Sequence, residues 1–117
     1  MLKIYGIKNC DSVKKALKFL QQREIPYTFI DFKTTPPTKA LIEEWLQKCE
    51  LKTLLNKRST TYKNLKLKEM QLSEEESIEW LAKEPLLIKR PVICFENELL
   101  IGYNEALYEE KLPQTKG

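Results

Sequence analysis

The chain has 117 residues, 42% of them apolar and 32% charged, with a formal net charge of +3. This suits one compact domain, the charge forms no basic block that would favour nucleic acid, and no apolar run nears the roughly 18 residues of a membrane span. Histidine is absent, which excludes a Cys-His protease, a histidine general base and a histidine-containing zinc site built from this chain alone.

In chain order, Leu2 to Tyr5 reads as a short strand that Gly6 breaks. After Cys10, the apolar residues Val13, Ala16, Leu17 and Leu20 recur at spacings of three and four, opposite Lys14, Lys15 and Lys18, the pattern of an amphipathic helix. "REIPYTFIDF" supplies a helix-ending charge cluster, Pro26 as a breaker and a β-rich run from Tyr27 to Phe32. Strand, helix, strand is most economically two parallel strands with a right-handed crossover.

"KTTPPTK" is a turn with Thr38 as a helix cap, and Leu41, Ile42, Trp45 and Leu46 follow a helical period from Ala40 to Lys48, with Trp45 in the core. "LKTLLNKRSTTYKNLKL" starts apolar and turns polar, as a short helical piece followed by a loop would. "SEEESIEWLAKEP" opens with Ser73 and Glu76 in a capping-box arrangement, ends before Pro85, and has Ile78, Leu81 and Ala82 as its apolar side. Val92 to Phe95, the polar turn "ENE", and Leu99 to Ile101 predict a β-hairpin; Asn104 caps a final helix, and "PQTKG" reads as a frayed tail.

The three cysteines, Cys10, Cys49 and Cys94, are odd in number, widely spaced and without a C-x-x-C pair, which argues against a disulfide framework. At most they supply part of a zinc site, so no metal is expected. No phosphate-binding glycine loop is present, so no nucleotide cofactor is implied. The N-terminus has no signal-peptide pattern, and the expected location is the cytoplasm.

Cys10 falls in the turn between strand and helix, where unpaired N–H groups and the positive end of the helix dipole favour an anionic sulfur. A cysteine so placed becomes a nucleophile near neutral pH. Lys8 adds to that field and Asp11 opposes it; the alternative is a small residue that only fills space. Arg90 and Pro91 stand just before a predicted core strand, where the proline is either cis, marking a particular backbone turn, or an ordinary trans residue. Arg58 lies in "NKRSTTY". Guanidinium groups beside a thiolate would stabilise it and hold an oxyanion or carboxylate.

"YGIKNCDSVKKA", "LLNKRSTTY", "LIKRPVI" and "LIGYNE", in that order over about residues 2 to 112, resemble the ArsC/Spx family of thioredoxin-like proteins, with "GIKNCDS" closest to its YffB-like branch. The resemblance implies an α/β thioredoxin-like fold with a mixed central sheet: one domain over 1–117, its core at about 1–35 and 86–112 and a helical insert at about 38–84. It implies Cys10 as the catalytic nucleophile, Pro91 as a cis-proline beside it, and Lys8, Asn9, Arg58 and Arg90 as anion-binding neighbours.

Arsenate reductases of the glutathione-coupled branch surround the cysteine with three arginines. "LLIGYNEALYEEKL" contains no arginine, so weak arsenate affinity is expected. Spx regulators, which bind RNA polymerase, typically carry a C-x-x-C switch, whereas Asp11, Ser12 and Val13 follow Cys10 here. The leading expectation is a one-cysteine thiol oxidoreductase with no bound cofactor. Glutathione is its external thiol, or a glutaredoxin- or thioredoxin-type protein its reductant, with arsenate the runner-up substrate. The alternative is an Spx-like regulator binding RNA polymerase without catalysis. Cys49 and Cys94 read as structural.

Overall fold

The first apolar run forms strand β1 (Leu2–Gly6) in the computed structural model, which describes residues 2–112. Helix α1 (Asp11–Gln22) and strand β2 (Tyr27–Asp31) follow, and β2 lies parallel to β1, from Leu2 opposite Tyr27 to Gly6 opposite Asp31. Strands β3 (Val92–Phe95) and β4 (Glu98–Ile101) form the hairpin, with Phe95 opposite Glu98 closing a two-residue turn. Antiparallel pairing of β3 with β1 completes a mixed sheet in the order β2-β1-β3-β4. Helix α6 (Glu105–Lys111) ends the described chain, and Asn104 caps it by accepting the Leu107 N–H at 3.1 Å.

These elements belong to one compact unit, Met1–Thr35 with Arg90–Gly117, and Pro36–Lys89 forms a second. In the first, residues two apart along a strand share a face of the sheet. Leu2 and Ile4 of β1, Ile93 of β3 and Leu100 of β4 accordingly pack with Ala16, Phe19 and Leu20 of α1 and Tyr108 of α6 in one apolar cluster. Burying Phe19 and Leu20 stabilises the fold by about 1.5–3 kcal/mol each. At the end of α1, the Arg23 guanidinium lies 3.8 Å from the Phe19 ring centre and 2.6 Å from Glu109 of α6, tying the two helices at the cluster's margin.

In the second unit, the helix expected from Ala40 is α2 (Lys39–Leu46), with the Thr38 hydroxyl accepting from the Leu41 N–H and Trp45 buried. Short α3 (Leu51–Leu54) follows. The region read as a loop is instead helical: α4 (Thr60–Asn64), then a 3₁₀ turn at Leu67–Glu69. Periodicity cannot reveal so short a polar helix, since α4 buries no residue; the Ser59 hydroxyl starts it by accepting the Tyr62 N–H. Helix α5 (Glu74–Lys83) has the expected capping box, but its buried residues are Ser77 and Leu81, while Ile78 and Ala82 are only half-buried. Burial of the small, polar Ser77 is not indicated by the apolar pattern alone. Paired bonds, Asn56 N–H to the Leu87 carbonyl and Lys89 N–H to the Leu54 carbonyl, both 2.7 Å, tie the segment after α3 to the last residues of the unit. The predicted tail at 113–117 lies outside the described residues.

One expectation is corrected in a way that matters for the cysteine. Gly6 does not break β1; it is the last strand residue, and its carbonyl accepts the Phe32 N–H at 2.8 Å. It is glycine because α1 comes too close for anything larger. A Cβ there would lie 2.6 Å from a methyl of Val13, a fully buried β-branched side chain with little rotamer freedom. Gly6→Ala should therefore cost about 1–3 kcal/mol in denaturant titrations, and Val13→Ala on that background should restore part of the loss. A Gly6→Ala protein of unchanged stability would contradict this close approach.

Candidate thiol site

The residues that join β1 to α1 run from sheet interior to solvent: Ile7 is buried, Lys8 and Asn9 are exposed, and Cys10 is half-buried. Cys10 occupies the N-cap position of α1 in extended conformation, and its carbonyl accepts the first intrahelical bond from the Lys14 N–H at 2.9 Å. At that position a serine, threonine or asparagine usually turns its side chain back onto the helix. Thr38, Ser59, Ser73 and Asn104 do so on their helices. The Cys10 sulfur makes no such bond. A thiol thus stands where first-turn N–H groups and the helix dipole favour negative charge, with Asp11 as the local opposing charge.

The sheet register brings a second predicted pair to the same end. Tyr5 stands opposite Val92, so the chain enters β3 through Arg90 and Pro91 at the end where β1 leaves toward Cys10. The Arg90-Pro91 peptide is cis; Pro91 is buried and Arg90 half-buried. The Pro91 carbonyl accepts the Gly102 N–H at 2.8 Å, and the Gly102 carbonyl accepts the Tyr108 hydroxyl at 2.5 Å. Neither Gly102 nor Tyr108 stood out in the sequence. The signal available was a lone glycine after a strand, in "LIGYNE", and it takes a left-handed φ of 81°. Lys8, Asn9, Cys10, Arg90 and Pro91 therefore gather at one end of one sheet.

Arg58 belongs to the Pro36–Lys89 unit. It is exposed on the turn before α4, where its N–H donates to the Asn56 side chain at 3.1 Å. It lines a hollow of about 470 Å³ with Lys52, Lys57 and Lys89, and no acidic residue is among the lining residues. A carboxylate or other anion would be attracted to such a surface, and nothing in the sequence distinguishes Lys52, Lys57 and Lys89 from ordinary surface lysines.

None of the three cysteines is in a disulfide. Cys94 sits on β3 opposite Lys3 and Leu99, and Cys49 follows α2, its N–H bonded to the Trp45 carbonyl. Burial pushes the Cys49 thiol up from its ordinary pKa, which leaves less thiolate at neutral pH.

The sequence profile of the ArsC family matches residues 5–111. A global transcriptional regulator, Spx 2 of Lactococcus lactis, is 31% identical over 117 residues, covering 98% of this chain and 89% of the regulator. Among solved structures, the YFFB protein is 31% identical with a TM-score of 0.91, covering 97% of this chain and 100% of that one. A possible arsenate reductase from Streptococcus mutans is 36% identical with a TM-score of 0.78, covering 89% and 92%. The fold is thioredoxin-like, with a mixed four-stranded sheet, as the sequence led one to expect.

The two cysteines are expected to differ in reactivity. At about pH 7, iodoacetamide should modify Cys10 at least roughly tenfold faster than Cys49, and the Cys49 rate should climb only at higher pH. Peptide mass mapping after timed quenching measures both, and equal rates at neutral pH would contradict the assignment.

Proposed function

The chain belongs to the ArsC family, and from that premise we propose that it is a cytoplasmic thiol oxidoreductase working through Cys10, with glutathione as its external thiol. The observation that carries this reading is an uncapped cysteine sulfur at the start of α1, at the sheet end that also holds Arg90. The Cys10 thiolate attacks one sulfur of a glutathione mixed disulfide, forms a disulfide with the glutathionyl group and releases the substrate thiolate. A second glutathione thiolate then attacks that disulfide, restoring Cys10 and leaving as oxidised glutathione. Cys10 is the nucleophile; Arg90 holds a carboxylate of the glutathionyl group, with Lys8 and the Asn9 amide as further polar neighbours. Pro91 shapes the backbone beside the sulfur, and Arg58, in its cationic hollow, is a second anion-binding group.

No second cysteine follows Cys10 within its helix turn, and this favours an external resolving thiol, either glutathione or a glutaredoxin- or thioredoxin-type protein. Arsenate is the runner-up substrate, supported by the similarity to a possible arsenate reductase. Absence of arginine from Leu99 to Leu112 makes its binding weak.

A second reading is a regulator that contacts RNA polymerase and needs no catalysis. It is favoured by the match to a transcriptional regulator over 98% of this chain. Retention of purified RNA polymerase by the Cys10→Ser protein, with no thiol exchange by the unmodified chain, would establish it instead.

The first reading predicts that Cys10→Ser abolishes exchange with glutathione disulfide, followed as mixed-disulfide formation by mass spectrometry. Cys49→Ser with Cys94→Ser should leave it within about twofold, and Arg90→Ala should slow it roughly tenfold, the loss of one charge-assisted contact. Undiminished exchange in the Cys10→Ser protein would rule the mechanism out.

A further inference from the structure

A buried hydroxyl lies on α6, away from the cysteine loop in sequence, and its bonding leads back to the thiol site. Tyr108 has no exposed surface, and its ring is held edge-on by Phe19 at 5.4 Å and Tyr103 at 5.5 Å between centres. Packing alone would be met by phenylalanine. The hydroxyl is instead aimed at the Gly102 carbonyl. Burial, with the neighbouring Tyr103, raises the Tyr108 pKa far above the ordinary tyrosine value, so the group remains a donor at any working pH.

Gly102 is where this bond acts. The regular β3–β4 ladder ends at the pair Val92 and Ile101. Beyond it, Gly102 turns into the left-handed region, φ 81°, and its N–H bonds the Pro91 carbonyl. One residue is therefore gripped at both of its polar groups, by α6 through its carbonyl and by the β3 entry through its N–H. Arg90 is the next residue along from that grip.

We infer that Tyr108 is a positioning residue for the thiol site: its hydroxyl fixes Gly102 and, through it, the Arg90-Pro91 segment, so that the guanidinium is presented to an anionic thiol reagent. This rests on the reading of Arg90 as the group that holds the glutathionyl carboxylate. Substitution of Tyr108 acts on discrimination by charge, whereas general loosening of the core would act on all reagents alike.

The test uses the full chain carrying Cys49→Ser and Cys94→Ser and compares Cys10 exchange with two disulfides. Glutathione disulfide carries carboxylates, and hydroxyethyl disulfide is uncharged. Tyr108→Phe should lower the ratio of the two rate constants roughly three- to tenfold and should lower it no further when Arg90 is already alanine. Phe19→Leu disturbs the same packing while keeping the hydroxyl bond, and it should leave the ratio unchanged. The Gly102 amide of the unsubstituted protein should resist hydrogen exchange as well as the β3–β4 ladder amides do, a readout independent of any variant.

If Arg90→Ala lowers the ratio and Tyr108→Phe does not, Tyr108 only fills the core and the inference falls alone. If Arg90→Ala leaves the ratio unchanged, the reading of Arg90 fails and the inference goes with it. An equal drop in Phe19→Leu, or a Gly102 amide exchanging at loop rates, would also overturn the role given to the hydroxyl.

Discussion

The contact of Val13 on Gly6 is the constraint from which the thiol site follows. Because residue 6 has no Cβ, α1 can approach the end of β1 closely, and the four residues between them must turn sharply into the helix. That turn delivers Cys10 to the N-cap position with its carbonyl committed to the Lys14 N–H and its sulfur uncommitted. The apolar cluster of α1 and α6 on the sheet then holds the helix there, with Arg23 bridging the Phe19 ring and Glu109 at the margin. A thiol is held in a fixed position here because a side chain is absent at residue 6.

The other half of the site comes from strand direction. Antiparallel pairing of β3 with β1 means that the start of one lies beside the end of the other, so Arg90 and Pro91 reach the cysteine end although they are 80 residues away in sequence. The Gly102 and Tyr108 bonds extend the ordering past the last ladder pair. Within the Pro36–Lys89 unit, a hollow lined by lysine and arginine lies around the turn before α4.

Much of this was legible because it is local. The helical spacing after Cys10, the β-rich runs at Tyr27 and Val92, and the caps at Thr38, Ser73 and Asn104 are signals contained in a few residues. What the sequence hid is non-local or too short to be periodic. Gly6 looks like a strand breaker until Val13 is seen against it. Helix α4 has no buried face, so nothing in its pattern distinguishes it from a loop. The bond from Tyr108 to Gly102 depends on the chain turning between them, and "GYNEALY" reads equally well as a surface helix start. The motif resemblance carries Cys10, Arg90 and Pro91 together, since it encodes the strand pairing that spacing alone does not.

The central claim is that Cys10 is a reactive thiolate that meets glutathione. Its most direct test is the rate of Cys10 alkylation by iodoacetamide at about pH 7 in the chain carrying Cys49→Ser and Cys94→Ser, recorded alone and with glutathione or arsenate present. Alkylation at least roughly tenfold faster than that of Cys49 in the chain carrying Cys10→Ser and Cys94→Ser, and slowed by glutathione more than by arsenate, is the result expected of a helix-start thiol beside an anion-binding arginine. A rate no faster than that of Cys49 and unaffected by both ligands would make Cys10 a structural residue and contradict the account.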